Sequence, residues 1–130
     1  MLTRRQTLIA LAAAGALAAA TPAVAAPQTY DAKALAAAQA AGKPILLHIT
    51  APWCPTCRAQ KPILSKLEAL PRFKDLVVLD IDFDSQKALL RTLRVSQQST
   101  LIVYKGAHEV GRSTGDTDAA SMETLLAKTI

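Results

Sequence analysis

The chain reads as an α/β domain, and three observations predict it. Apolar, β-branched runs alternate with helix-period segments, giving the order α-β-α-β-α-β-β-α. The early strands are joined by a helical crossover and so lie parallel, whereas the last two pair as a hairpin beneath a closing helix. The only two cysteines stand as Cys54-Pro55-Thr56-Cys57, between a predicted strand and a predicted helix.

The first 25 residues read as an export signal, residues 26–130 as the domain. Thr3-Arg4-Arg5-Gln6-Thr7-Leu8-Ile9 opens the chain, and an apolar run from Leu8 to Ala20 follows. That run is short and small-sided for a membrane span and fits the core of a signal peptide. Ala23-Val24-Ala25 supplies the small residues a signal peptidase needs, with cleavage after Ala25. The paired arginines favour a twin-arginine signal over the general secretory route, although Thr7 stands near the place where phenylalanine is common. An uncleaved anchor is the third reading. Each of these places the domain outside the cytoplasm, in the periplasm, where disulfides persist.

Removing Arg4 and Arg5 from 15 basic side chains leaves 13 against 10 acidic ones, a net of +3. The basic residues are dispersed, with no cluster interleaved with aromatics, so nucleic acid is not an expected partner.

Within the domain, Asp31 to Ala41 is alanine-rich and predicts a helix, with Asp31 as its N-cap and Gly42 as its stop. Pro44 opens a strand, Ile45 to Thr50, whose near-continuous apolar character predicts a central position. His48 is the exception in it. A helix follows from Cys54 through Leu70, with Pro62 inside it and Pro71 at its end. Ile63, Leu64, Leu67 and Leu70 form its core stripe. Leu76 to Asp82 predicts a second strand, and Ser85 a cap for a helix to about Leu93. After the loop Val95-Ser96-Gln97-Gln98-Ser99, Thr100 to Tyr104 predicts a third strand. Lys105-Gly106-Ala107 turns the chain into His108 to Ser113. A last helix, about Asp118 to Lys128, turns Met122, Leu125 and Leu126 inward.

Two residues between cysteines is one helical turn, so both sulfurs share a face and can form a short, easily reversed disulfide. The helix N-terminus favours thiolate at Cys54, while Cys57, one turn in, is expected to be more buried and less acidic. Cys54 is thus the nucleophile and Cys57 the resolving thiol. A four-thiolate zinc site needs more cysteines than the chain has. A structural disulfide across so small a loop would gain little.

Taken in register, these features resemble the thioredoxin superfamily from about Tyr30 to Ile130. Trp53 directly precedes the first cysteine, Pro62 matches a helix proline, Thr100 to Tyr104 matches the strand after the substrate loop, and Gly115 matches a glycine at the site rim. The resemblance implies a central mixed four-stranded sheet flanked by helices. It also implies dithiol–disulfide exchange with protein substrates through a mixed disulfide on Cys54. Substrate support then falls to Trp53, Pro55, Thr56, Ser99 and Thr100.

Three departures qualify the resemblance. Ser99 stands where most of the family carries a cis-proline, so the Gln98–Ser99 bond is expected either to be a costly cis bond or, preferably, trans in a loop of altered shape. His48 stands where thioredoxins carry a buried aspartate, and is a candidate base or proton relay, against the plainer reading of a core histidine. Asp80 stands where they carry a lysine, so an Asp–Lys pair is replaced by a His48–Asp80 pair with the charges exchanged. Asp80 would then favour a protonated imidazole behind Cys57.

The sequence therefore predicts an exported thiol–disulfide oxidoreductase, preferentially a reductant of periplasmic protein disulfides, monomeric and re-reduced by a membrane electron donor. No cofactor or metal is expected on this reading. A periplasmic oxidant is the close alternative, favoured by the His48–Asp80 argument. A thiol-based metal or iron–sulfur binder, kept open by Ser99, is the other.

Overall fold

The computed structural model describes residues 26–130, and the predicted signal peptide lies outside them. The described chain forms β1 (Gln28–Thr29), α1 (Ala32–Ala40), β2 (Pro44–Thr50), α2 (Pro55–Glu68), β3 (Val77–Asp82), α3 (Lys87–Leu93), β4 (Thr100–Lys105), β5 (His108–Thr114) and α4 (Ala119–Ala127). Every predicted helix and strand is present. The expected four strands are joined by a fifth, giving the sheet order β1-β3-β2-β4-β5. β1 is two residues long and pairs parallel with the edge of β3, too short to leave a period in the sequence.

β2 is the hinge of the sheet. It runs parallel to β3 and antiparallel to β4, so neighbours cover both of its edges. That explains its continuous apolar run, because it is also packed on both faces. Ile45, Leu47 and Ile49 point to one side, where α1 and α3 contribute Ala38 and Leu90. Leu46 points to the other, where α2 supplies Leu64 and Leu67 and α4 supplies Met122, Leu125 and Leu126. Each fully buried aliphatic side chain contributes about 1.5–3 kcal/mol. His48 lies in register with Asp80 across the β2–β3 ladder.

Local signals account for most helix ends. Asp31 caps α1 by accepting from Ala34 N–H at 3.0 Å. Asp118 caps α4 by accepting from Ser121 N–H at 2.7 Å. Ser85 does not cap α3 as expected. Its N–H and hydroxyl both donate to Asp82 Oδ2, and Gln86 opens the helix without a side-chain cap. The nearby carboxylate captures both of the donors Ser85 carries. α2 ends at Glu68, slightly earlier than expected, because Pro71 starts a separate short 3₁₀ turn, Pro71–Phe73.

Candidate active site at the start of the second helix

Cys54 is the N-cap of α2. Its backbone is extended, and its Sγ accepts the Cys57 N–H at 3.1 Å. Pro55 follows at the first helical position, where a missing N–H costs nothing. The first sulfur thus sits against the open N–H groups and positive dipole end of a 14-residue helix.

Both cysteines are 0% exposed, so Cys57 is not the more buried one. The reason is tertiary: Ala51, Cys54 and Cys57 pack together under Phe83. Burial pushes the Cys57 thiol up, and its hydrogen bond with the Cys54 sulfur adds to this. The Ala51 N–H and the Thr50 hydroxyl pull the other way. Thr50 Oγ1 is itself buried and has no hydrogen-bond partner among the described residues.

Trp53 is 53% exposed and forms the outer wall. Its Nε1–H donates to Asp84 Oδ2 at 2.8 Å, and its ring meets Phe83 edge-on, 6.4 Å between centroids. Pro55 is exposed and Thr56 half-buried, so the dipeptide between the cysteines faces outward.

The Gln98–Ser99 bond is trans, as preferred on sequence, and Ser99 takes a left-handed φ of 58°. Ser99 N–H donates to Ile49 O at 2.8 Å, a bond a proline could not make. Cys57 Sγ approaches the same Ile49 carbonyl at 4.0 Å, which brings the loop against the cysteines. Ser99 O accepts from Gly115 N–H and from Gln60 Nε2, each at 3.0 Å. Thr100 Oγ1 donates to Gln97 O at 2.8 Å and pairs with Thr114 Oγ1 at 3.1 Å. These bonds hold the loop in a shape that a non-glycine residue adopts only under constraint.

His48 is 2% exposed. Its Nδ1 lies 3.5 Å from Asp80 Oδ1, so the pairing inferred from register is present in space. Its Nε2 meets Gln60 Oε1 at 3.0 Å, not a backbone carbonyl. The groups bearing on the Cys57 thiol are Cys54, Ala51 and Thr50. His48 instead reaches the Ser99 loop through Gln60. A cavity of about 310 Å³ opens onto the pair, lined also by Lys61, Ser65 and Glu68. Burial and the Asp80 carboxylate push Glu68 up to about 7, and His48 opposes them.

Gln60, Thr50, Asp84 and Glu68 are absent from the sequence-based site. For two of them a signal exists. Gln60 and Glu68 fall on the same helical face as Leu64 and Leu67, and a polar residue on a buried stripe needs a partner. Among the described residues no group of three or more His, Cys, Asp or Glu side chains is placed to hold a metal ion.

Three comparisons bear on this arrangement. The thioredoxin family model matches residues 23–128. The chain is 35% identical over 85 residues to a thioredoxin of Chlamydia trachomatis serovar D, covering 65% of this chain and 80% of that protein. It is 32% identical to thioredoxin H2-1 of Oryza sativa subsp. japonica over 56% of its own length, and spans about half, 51%, of that protein. The crystal structure of Trxlp from Edwardsiella tarda EIB202 superposes with a TM-score of 0.75 at 44% identity, covering 78% of this chain and 98% of that one.

Proposed function

Because the chain belongs to the thioredoxin family and is a thiol–disulfide oxidoreductase with a Cys54-x-x-Cys57 motif, we propose that it is exported and reduces protein disulfides in the periplasm. The observation that carries the chemistry is the Cys54 sulfur seated on the N-terminus of α2, 3.1 Å from the Cys57 N–H. Cys54 thiolate attacks one sulfur of a substrate disulfide. The S–S bond breaks, one substrate thiolate leaves, and a mixed disulfide forms on Cys54. The Cys57 thiol then loses its proton and its thiolate attacks the Cys54 sulfur. The second substrate thiolate leaves, and a Cys54–Cys57 disulfide remains. Two electrons have passed to the substrate, and a membrane-held dithiol donor returns them. Exposed Trp53 and the Ser99 loop flank the sulfur where a substrate chain would lie.

Export rests on Arg4-Arg5, the apolar run Leu8 to Ala20 and Ala23-Val24-Ala25. Cell fractionation tests it. Arg4→Lys with Arg5→Lys is expected to strand the protein in the cytoplasm. Normal export of that variant would point to the general secretory route, and cytoplasmic wild-type protein would sink the export reading.

An oxidant is the second reading, favoured by the His48–Asp80 contact at 3.5 Å. The reduction potential, measured by equilibration with glutathione, separates the two. A value near about −270 mV fits a reductant needing an electron supply, and one near about −120 mV fits a strong oxidant.

A further inference from the structure

Gln60 is a fully buried polar side chain on α2, 0% exposed, with all three of its side-chain hydrogen bonds made inside the protein. Its Nε2 donates to Ser99 O at 3.0 Å and to Asp116 O at 2.9 Å. Carbonyl oxygens only accept, so those two contacts settle which end of the amide is which. A flipped amide would set Oε1 against two carbonyl oxygens and lose both bonds. Gln60 Oε1 therefore faces His48 Nε2, and at 3.0 Å that nitrogen must carry hydrogen.

The consequence falls on the other ring nitrogen. A neutral imidazole with hydrogen on Nε2 has a bare lone pair at Nδ1. Here Nδ1 lies 3.5 Å from Asp80 Oδ1, an ion-pair distance longer than an aligned hydrogen bond. That oxygen is buried and has no hydrogen-bond partner among the described residues. A lone pair beside that carboxylate oxygen is unfavourable even though the Asp80 side chain is 32% exposed, and a proton on Nδ1 turns the repulsion into attraction. The other charged groups at the pair are Lys61 and Glu68 of α2, which line the same cavity. β4 brings only apolar Leu101 beside His48 in the ladder. The β5–α4 loop brings Asp116, whose carboxylate is occupied by Ser121 Oγ and Asp118 N–H.

We propose that Gln60 is a positioning residue for thiol–disulfide exchange: it pins His48 as an Nε2 donor, so that His48 holds a second proton toward Asp80, and it ties that proton to the Ser99 loop beside the cysteines. The loop is fastened to the same Ile49 carbonyl that Cys57 Sγ approaches. Loss of the proton at Nδ1 removes the attraction to Asp80 Oδ1, while the Nε2 bond to Gln60 remains. Only the effect on exchange rests on the functional reading above; the protonation does not.

The test is long-range ¹H–¹⁵N spectroscopy of the ring nitrogens in the purified protein, which has two histidines, with exposed His108 as internal reference. At pH 7 both nitrogens of His48 are expected to carry hydrogen. Asp80→Asn should leave hydrogen on Nε2 alone, because the asparagine amide donates to Nδ1. Gln60→Met, close in shape but without the bonds, should leave His48 with hydrogen on Nδ1 alone, toward Asp80, and slow exchange with a peptide disulfide about five- to tenfold. It should also flatten the pH profile of exchange, which His108→Ala leaves unchanged. A bare Nδ1 in wild type, or an unaltered His48 spectrum in folded Gln60→Met, would overturn the inference. The wild-type and Asp80→Asn spectra decide it even if Gln60→Met fails to fold. Expected spectra without any exchange activity would instead sink the functional reading and Gln60's role in exchange, and leave the pinning and protonation of His48 standing.

Discussion

Asp80 Oδ1 lies 3.5 Å from His48 Nδ1 across two parallel strands, and the pair is joined by Gln60 to the loop beside the redox cysteines. The cysteines and the ionisable pair are therefore two sites on one helix, with Cys57 and Gln60 one turn apart. The following outcomes are expected from that arrangement.

Removing the resolving thiol separates the two halves of exchange. Cys57→Ser is expected to accumulate a mixed disulfide with a peptide substrate, visible by mass spectrometry and released by added thiol. Cys54→Ser should form none. Equal trapping by both variants would contradict the assignment of Cys54 as nucleophile.

Thr50→Val deletes the unpartnered hydroxyl that favours the Cys57 thiolate. One lost hydrogen bond to charged sulfur predicts about a tenfold slower resolution of the mixed disulfide. The first attack by Cys54 should be unchanged. Stopped-flow measurement of both phases checks this; slowing of the attack phase alone would speak against it.

Glu68 gives the fold a pH dependence of defined sign. Its folded-state value is about 7 against an ordinary 4.5, so the folded protein holds this proton more tightly than the unfolded chain. Below the ordinary value the carboxyl is neutral in both states and costs nothing. As pH rises through 4.5 to 7 the unfolded state ionises first, and stability falls. The cavity brings solvent near, so the loss is discounted to about 1–2 kcal/mol. Urea denaturation should show Glu68→Gln gaining that amount at pH 8 and little at pH 4.

The Ser99 loop should rank substitutions by backbone rather than by size. Glycine at 99 relaxes a φ of 58° and should be neutral or slightly stabilising. Proline at 99 cannot take that φ and loses the N–H bond to Ile49 O, so a cost of about 2–3 kcal/mol is expected. A Ser99→Pro protein as stable as wild type would mean that the loop can be rebuilt around the ring.

Much of the candidate site was legible before any coordinates. The positions of Cys54 and Cys57 one turn apart follow from spacing, since the helical period is a local property. The pairing of Asp80 with His48 needed only a strand register carried over from related proteins, and the β2–β3 ladder places the two side by side.

What spacing could not disclose are relations between distant segments. Gln60 reads as one polar residue in a helix until Ser99, 39 positions on, and Asp116, 56 positions on, present their carbonyls to it. Thr50 reads as a strand end until its hydroxyl is buried and bears on the Cys57 thiol. The equal burial of the two cysteines depends on Phe83, and the failure of Ser85 to cap α3 on the carboxylate of Asp82. The sequence by itself determined four of the five strands, the four helices and the dithiol at a helix start, because those follow from backbone periodicity. Only the tertiary structure decided which polar groups are denied water, and so which must find one another. Desolvation is a property of the packed whole, and it is what turns Gln60, His48 and the buried Oδ1 of Asp80 into a single unit.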